Sequence, residues 1–515
     1  MKTSKLIKRC ITVSIVFFSL NTSMSIASLT NPGVPNPALV SSNDYCEYFE
    51  NWNFISGKVY LPVRKGYVNN PTEDDCSQFV TNRVALYSPL VILLRGTGFD
   101  YTDYDYLLSH LAKNRMFVVS VDVLSQSDDN PASHQSAAEK AWDFVYHALW
   151  YGKNTRFYIN PQAIGIIGHS RGGETARYLA NLLKEEPVFN VKAIAGLAPT
   201  GDTDLFVTGE ITEGYLILYG TQDPDVTPDQ AYRHYDLSGN ENSQLDPQWQ
   251  SEGVFKAMKL LLNANHKGFL DPNPLSPING AQRESAKGYI LSFFKAHLSQ
   301  NLTWYDQYIR GNFFHPDWSQ ATSQYSDGFY RRVIDNFDDN DLTNNTMDDT
   351  VSFSNAITAS QENLSNAVDT PHVAHALAVR SANTNGRIEW SVPEGKRNTT
   401  WFKCLSLRIG QRTGETAYDL KVQIRNSGSG WSDEISLSDY DDIAQVTPMC
   451  FQGAPFATAC VDEQPQAHMG TIRIPLNDFG PHDDVRNVRI RFRGDSINKD
   501  YIMDNLEFSE FILFP

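Results

Sequence analysis

An α/β domain on a mostly parallel sheet, followed by an all-β sandwich, is the architecture this sequence predicts. Up to about Arg310, short and almost wholly apolar runs recur at helix-length intervals, as parallel strands buried on both faces require. From about Arg332 the segments alternate apolar with polar residues, the pattern of strands with one buried face. A length of 515 residues also suffices for two or three domains with substantial cores.

The chain starts like an exported protein. Lys2, Lys5, Lys8 and Arg9 form a basic start, Ile11 to Leu20 an apolar run too short to span a bilayer comfortably, and Ser25-Ile26-Ala27 a small-residue cleavage site. Residues 1–27 are therefore expected to be a cleaved signal peptide and residues 28–44 a Pro/Asn/Ser-rich lead. The mature chain is expected to be secreted or periplasmic, with no later transmembrane segment. Loss of the four cations takes the net charge from −17 to −21. Such acidity argues against nucleic acid or a polyanionic membrane as partner, because like charges repel. With 20% charged and 12% aromatic residues the composition is that of a folded protein. Cys10 departs with the signal. In an oxidising compartment the five remaining cysteines suggest Cys46–Cys76 and Cys450–Cys460 pairs with Cys404 free, other pairings staying open.

Residues 45–310 are the expected α/β domain. Its strand candidates are Leu90–Leu94, Met116–Val121, Ala163–Ile167, Ala193–Leu197 and Tyr215–Tyr219. Glu139–Trp150 and Glu174–Leu183 read as helices, the second with Ala176, Leu179, Ala180 and Leu183 at helical spacing. Residues 311–332 read as a linker or docking segment. Residues 333–515 read as the sandwich, with alternating segments at Leu420–Arg425, Thr471–Leu476 and Val488–Arg493.

One motif carries chemistry. Gly168-His169-Ser170-Arg171-Gly172 fits G-x-S-x-G, a weak signal alone, but it follows the apolar run Ile164–Ile167 and opens a helix through Gly172-Gly173. That context is a strand-to-helix turn sharp enough to strain the serine and to need glycines beside it. A serine hydroxyl attacks only when a base takes its proton, and the base needs a carboxylate to orient it. Asp223, in the loop after Tyr215–Tyr219, is the preferred acid, with Asp225 left open. Among the histidines that follow, His234 and His297 fall in helix-like segments, whereas His266 lies in a loop between two of them and is the preferred base. His169 reads as a structural residue of the turn. The oxyanion donors are expected to be the backbone N–H of Arg171 and that of Thr97, within Arg95-Gly96-Thr97-Gly98-Phe99.

From Ser88 to about Leu298 these residues resemble the α/β-hydrolases, and within them the platelet-activating-factor acetylhydrolases and cutinase-like polyester hydrolases. The similarity is closest from Arg95-Gly-Thr-Gly-Phe through Leu111–Asp122 and at Gly168–Gly173. Arg95 departs from the His-Gly or Pro-Gly pair of those families. The resemblance implies a serine hydrolase acting on carboxylic esters, with Ser170 as nucleophile, Asp223 as acid, His266 as base, Thr97 and Arg171 as oxyanion donors, and no cofactor required for catalysis. Amide hydrolysis and acyl transfer use the same triad, and a glycan- or surface-binding protein on a silent hydrolase scaffold is the alternative from another class.

The later segment resembles galactose-binding-like jelly rolls of the carbohydrate-binding-module kind, through Val333-Ile-Asp-Asn-Phe-Asp-Asp-Asn and Asp500-Tyr-Ile-Met-Asp-Asn-Leu-Glu-Phe. A glycan or polymer surface is accordingly a candidate partner beside the ester substrate. Asp335, Asp338, Asp339 and Asp341, joined by Asp504, are candidate oxygen ligands for a structural Ca²⁺, with a solvated acidic turn as the alternative.

Overall fold

The structure, a computed structural model, describes residues 45–52, 55–62, 87–123, 130–152, 158–201, 214–238, 255–271, 280–311, 315–328, 331–414, 418–428, 430–452 and 460–511. The expected signal peptide and lead lie outside the described residues. So does Cys76, and with it the expected Cys46–Cys76 pair. Cys450 and Cys460 are joined in a disulfide, and Cys404 is free and buried. Among the described residues no helix is long and apolar enough to cross a membrane.

The N-terminal part is built on one sheet of nine strands: β1 (Tyr45–Trp52), β2 (Ile55–Pro62), β3 (Ser88–Leu94), β4 (Phe117–Asp122), β5 (Ile159–His169), β6 (Val191–Leu197), β7 (Gly214–Gly220), β8 (Phe255–Leu261) and β9 (Ala321–Asp327). In space they run β1-β2-β4-β3-β5-β6-β7-β8-β9. The six strands from β3 to β8 pair in parallel, while β1 with β2, β2 with β4 and β8 with β9 are antiparallel. Helices cover the sheet: α1 (Asp105–Lys113), α2 (Pro131–Asp143), α3 (Arg171–Glu185), α4 (Pro228–Asp236) and α5 (Gly280–Ser299). The apolar runs of β3 to β7 are buried almost throughout, because a parallel strand between two layers of helix has no wet face. Register sets Leu94 beside Gly168 and Gly168 beside Gly196. The loops after β3, β5 and β6 consequently leave from one edge of the sheet, the carboxyl edge where α/β sheets place their chemistry.

Three local expectations change. The helix expected over Glu139–Trp150 begins earlier, as α2, because Asn130 caps it by accepting the Ser133 N–H at 3.0 Å and Pro131 starts it; beyond Asp143 the chain continues as a wider π-helical turn over Phe144–Gly152. The segment before His266 is a strand, β8, and not helix-like. Phe255, Met258 and Leu261, three residues apart, imitate a helical stripe, but the lysines between them are buried too: Lys256 donates to the Ser238 carbonyl at 3.1 Å and Lys259 to the Ile309 carbonyl at 3.0 Å and Ser323 Oγ at 2.6 Å. The segment 311–332 contributes β9, the last strand of the sheet, and the start of the first strand of the next unit.

That unit is all β: β10 (Arg331–Asp335), β11 (Val351–Phe353), β12 (Ile357–Asn363), β13 (His375–Ser381), β14 (Arg387–Ser391), β15 (Phe402–Gln411), β16 (Leu420–Asn426), β17 (Gly430–Trp431), β18 (Ile435–Ser436), β19 (Thr447–Gln452), β20 (Asp462–Gln466), β21 (Gly470–Pro475), β22 (Val485–Phe492) and β23 (Asp500–Phe511). One sheet runs β12-β13-β23-β15-β21, with β10 on β23, and a second runs β11-β14-β22-β16-β17, with β18 on β16. All their pairings are antiparallel. Leu405, Leu407 and Ile409 of the first sheet share a core with Trp390, Val488 and Ile490 of the second.

The outer face of the first sheet docks on the α/β unit. Arg408 of β15 is buried there and donates to Gln324 of β9 at 2.8 Å, to Asp504 of β23 at 2.6 Å and to Asp236 of α4. Asp236 also accepts the Val373 N–H at 2.9 Å and faces His372 Nδ1 at 3.1 Å. Burial opposes the Asp236 charge, yet Arg408 and His372 outweigh it and hold the carboxyl well below its usual range. A buried, fully partnered ion pair of this kind binds the two units in one register.

Candidate active site

Ser170 stands between β5 and α3 with φ 54° and ψ −126°, a strained conformation for a residue with a side chain. The sequence pays for it with glycine. A methyl group at Gly172 would run into the Leu94 carbonyl oxygen, and one at Gly168 into the carbonyl of Gly172. The turn is pinned on both sides, since the Ser170 N–H donates to the Leu197 carbonyl at 2.9 Å and its own carbonyl accepts from Gly173 at 2.8 Å and Thr200 at 3.2 Å. Ser170 thus caps α3, whose first N–H groups have no partner four residues back and carry the positive end of the helix dipole.

His266 opens a short 3₁₀ turn, His266–Phe269, just past β8. Asn265 holds that turn by accepting the Gly268 N–H at 2.9 Å, and Gln282 of α5 clamps Asn265 through both main-chain groups at 3.1 and 2.7 Å. The buried ring points Nδ1 at Asp223 Oδ2, 2.9 Å away. The other oxygen of Asp223 accepts the N–H groups of Asp225 and Val226, both at 2.9 Å. Asp225 therefore supports Asp223 through its backbone, and it is Asp223 whose carboxylate meets the histidine. Burial lowers the pKa of His266, but the charge and hydrogen bond of Asp223 overcome it, and the net shift is upward from the usual histidine value.

The other histidines have different work. Both ring nitrogens of His234 are engaged in the core, Nδ1 with the Tyr215 hydroxyl and Nε2 with the Thr200 carbonyl, each at 2.6 Å. Burial pushes its pKa down to about 3. His297 is likewise buried, with its pKa down to about 3, and faces Tyr305. His169 packs as a wedge, its ring stacked 5.2 Å from Phe99 and 4.6 Å from the ring of His266. Burial, with the His266 charge beside it, holds its pKa well below the usual value, so this ring stays neutral.

The loop after β3 is fastened by two contacts not read from the sequence. Tyr104, fully buried, accepts the Gly96 N–H at 3.2 Å and shares a 2.8 Å hydrogen bond with His169 Nδ1, so one hydroxyl ties this loop to the serine turn. Arg95 lies buried with Nε 2.6 Å from Asp122 Oδ1 at the end of β4 and Nη1 donating to the Gly96 carbonyl at 3.2 Å. The Gly96 N–H is thereby committed. The Thr97 N–H makes no hydrogen bond among the described residues, and Thr97 Oγ1 is buried without a partner there. A third contact reaches the acid loop from the C-terminal unit: the N–H of Cys450, in the disulfide-closed ribbon β19–β20, donates to the Thr221 carbonyl at 2.9 Å, two residues before Asp223.

The acidic residues of the sandwich are not gathered into a cation site. Asp335 accepts from Trp390 Nε1 at 2.9 Å and the Phe337 N–H at 3.2 Å, with burial raising its pKa to about 7. Asp338 accepts from Asn336, Asp339 from the Asp341 N–H, Asp341 from Thr343 and Asn344, and Asp504 from Arg408. Asp335 is held by Trp390 and the Phe337 N–H and Asp504 by Arg408, so neither presents a free carboxylate to a hard divalent ion. Among the described residues no group of three or more His, Cys, Asp or Glu is placed to hold a metal.

No protein-family profile matches the chain, and no curated protein matches it.

Proposed function

We propose that this chain is a secreted or periplasmic serine hydrolase of carboxylic esters, an α/β-hydrolase followed by a jelly-roll sandwich. The reading is carried by the buried 2.9 Å contact of His266 with Asp223, taken together with a serine held at φ 54° on the turn between β5 and α3. With Nδ1 committed to Asp223, Nε2 is the nitrogen left to take a proton from Ser170. In the proposed cycle Ser170 Oγ attacks the ester carbonyl while His266 accepts its proton, and Asp223 stabilises the resulting imidazolium. The tetrahedral oxyanion is held by the N–H groups of Thr97 and Arg171, each such donor being worth about 3–4 kcal/mol in related chemistry. Collapse expels the alcohol, protonated by His266, and leaves an acyl-Ser170 ester. Water, deprotonated by the same imidazole, then releases the acid. The cycle calls on no metal or organic cofactor. Hydrolysis of p-nitrophenyl acetate and butyrate by the purified chain tests it: Ser170→Ala should abolish turnover, and equal rates for the two proteins would sink the reading.

A further inference from the structure

One face of the sandwich docks on the α/β unit, and the opposite face, the outside of β14, β22 and β16, is built differently. Strand alternation and register arrange its outward side chains as a grid of three rows. The first row reads Arg387, Arg491, Lys421; the second Glu389, Arg489, Gln423; the third Ser391, Asn487, Arg425. The inward neighbours Ile388, Trp390, Val488, Ile490, Val422 and Ile424 are buried in the sandwich core, which fixes the grid as the outer surface.

Five of these nine positions are cationic and one is a carboxylate, on a chain whose net charge is −17. Cations directly opposite one another across a sheet oppose folding, so a row of three is a cost that packing does not explain. Edge carboxylates offset part of it: Glu434 meets Arg491 at 2.6 Å, and Asp419 meets Lys421 at 2.6 Å. Arg387 and Arg425 are exposed and make no side-chain hydrogen bond or ion pair among the described residues. The Nε groups of Arg489 and Arg491 are buried without a partner there. Arg489 is spread flat over the Trp431 ring, 3.7 Å from its centroid, and burial together with Arg491 and Arg387 pushes its pKa down.

We infer that this face binds an extended acidic polysaccharide, a polymer of uronate-like sugars whose carboxylates seat in the guanidinium forks. Adjacent strands lie about 4.8 Å apart and like-facing residues about 7 Å apart along a strand, so the cations present a flat lattice to a linear chain of carboxylates. Ser391 and Asn487 add neutral partners suited to sugar hydroxyls. Beyond the grid, Trp431 stands opposite Arg425 on the same face, but Arg489 covers its ring and the nine grid positions are polar, which argues against a lipid surface. The acidity of the rest of the chain argues against nucleic acid, whose long-range field it would oppose. The inference stands apart from the catalytic reading, because binding needs no turnover.

The test is binding of the full chain to polygalacturonate by affinity electrophoresis or calorimetry. Binding should appear at about 50 mM NaCl, weaken at about 300 mM, and be absent for neutral dextran. Arg387→Gln with Arg425→Gln, both exposed, should keep the thermal unfolding temperature and weaken binding at least about tenfold. No binding to polygalacturonate at low salt, or equal binding by the double variant, overturns the inference. Tighter binding of single-stranded DNA or of anionic phospholipid vesicles than of polygalacturonate overturns it as well, in favour of that other class of partner.

Discussion

Replacing Asp223 by asparagine leaves shape intact and changes hydrogen bonding alone, at a position where both carboxylate oxygens accept. One oxygen faces His266 Nδ1 at 2.9 Å and the other takes two backbone N–H groups at 2.9 Å. An amide has one accepting oxygen. If that oxygen stays with the Asp225 and Val226 N–H groups, the amide NH₂ meets Nδ1, which must then accept, and the ring carries its proton on Nε2, where it cannot deprotonate Ser170. If the amide flips, three N–H donors crowd together without an acceptor in a buried loop. The first outcome costs less, and a wrong tautomer in a serine triad costs about 10⁴ in kcat, or about 5.5 kcal/mol of barrier. Asp225→Asn keeps the backbone N–H that serves Asp223, so its loss should stay within about tenfold. Steady-state hydrolysis of p-nitrophenyl butyrate by the two variants reads the difference directly. An Asp223→Asn chain that keeps most of its activity, beside an Asp225→Asn chain that loses it, would refute the assignment of the acid.

The pH dependence follows from the same pair. His266 must be neutral to act as base and Asp223 raises its pKa, so kcat/KM should rise with pH through a midpoint above about 6.5, and the residual activity of Asp223→Asn should rise at a lower pH because burial and Lys267 then lower the pKa against Asp225 alone; an unmoved midpoint would argue that another group titrates. Arg408→Met should remove the guanidinium from beside Asp236 and Asp504 and lower stability by about 3–5 kcal/mol in chemical denaturation, whereas a change below about 1 kcal/mol would show that the latch between the units is idle. Tyr104→Phe removes the hydroxyl that joins Gly96 to His169 and should lower kcat up to about tenfold with KM unchanged; a change confined to KM would place Tyr104 in substrate binding instead.

Strands β3 to β7 were legible because burial on both faces leaves them no reason to carry polar residues. β8 was not, since Lys256 and Lys259 are buried on carbonyls from chain segments that no local window contains. β9, Ala321-Thr-Ser-Gln-Tyr-Ser-Asp, is polar yet mostly buried because it sits where the two units meet: Thr471 of β21 accepts the Tyr325 N–H at 3.0 Å. Docking buries polar residues in the same way on β15 and β23, where Ser406, Arg408 and Ser509 are buried and Arg408 reaches β9 and α4. In the site, the serine turn announced itself through glycines that its sharpness requires. Asp223 and Asp225 share a loop and differ only in which carboxylate faces a histidine 43 residues away, a tertiary fact. Tyr104 and Arg95 act through contacts on other strands, and the Cys450 ribbon reaches Thr221 from more than 200 residues on.

Ser170 is the proposed nucleophile, activated by His266. Intact-mass analysis of the folded chain after exposure to a fluorophosphonate ester measures that reactivity without assuming a natural substrate. One adduct per chain, mapped to Ser170 and absent from both Ser170→Ala and His266→Ala, is the predicted result. A folded chain that gains no adduct, or a Ser170→Ala chain that gains the same one, would contradict it.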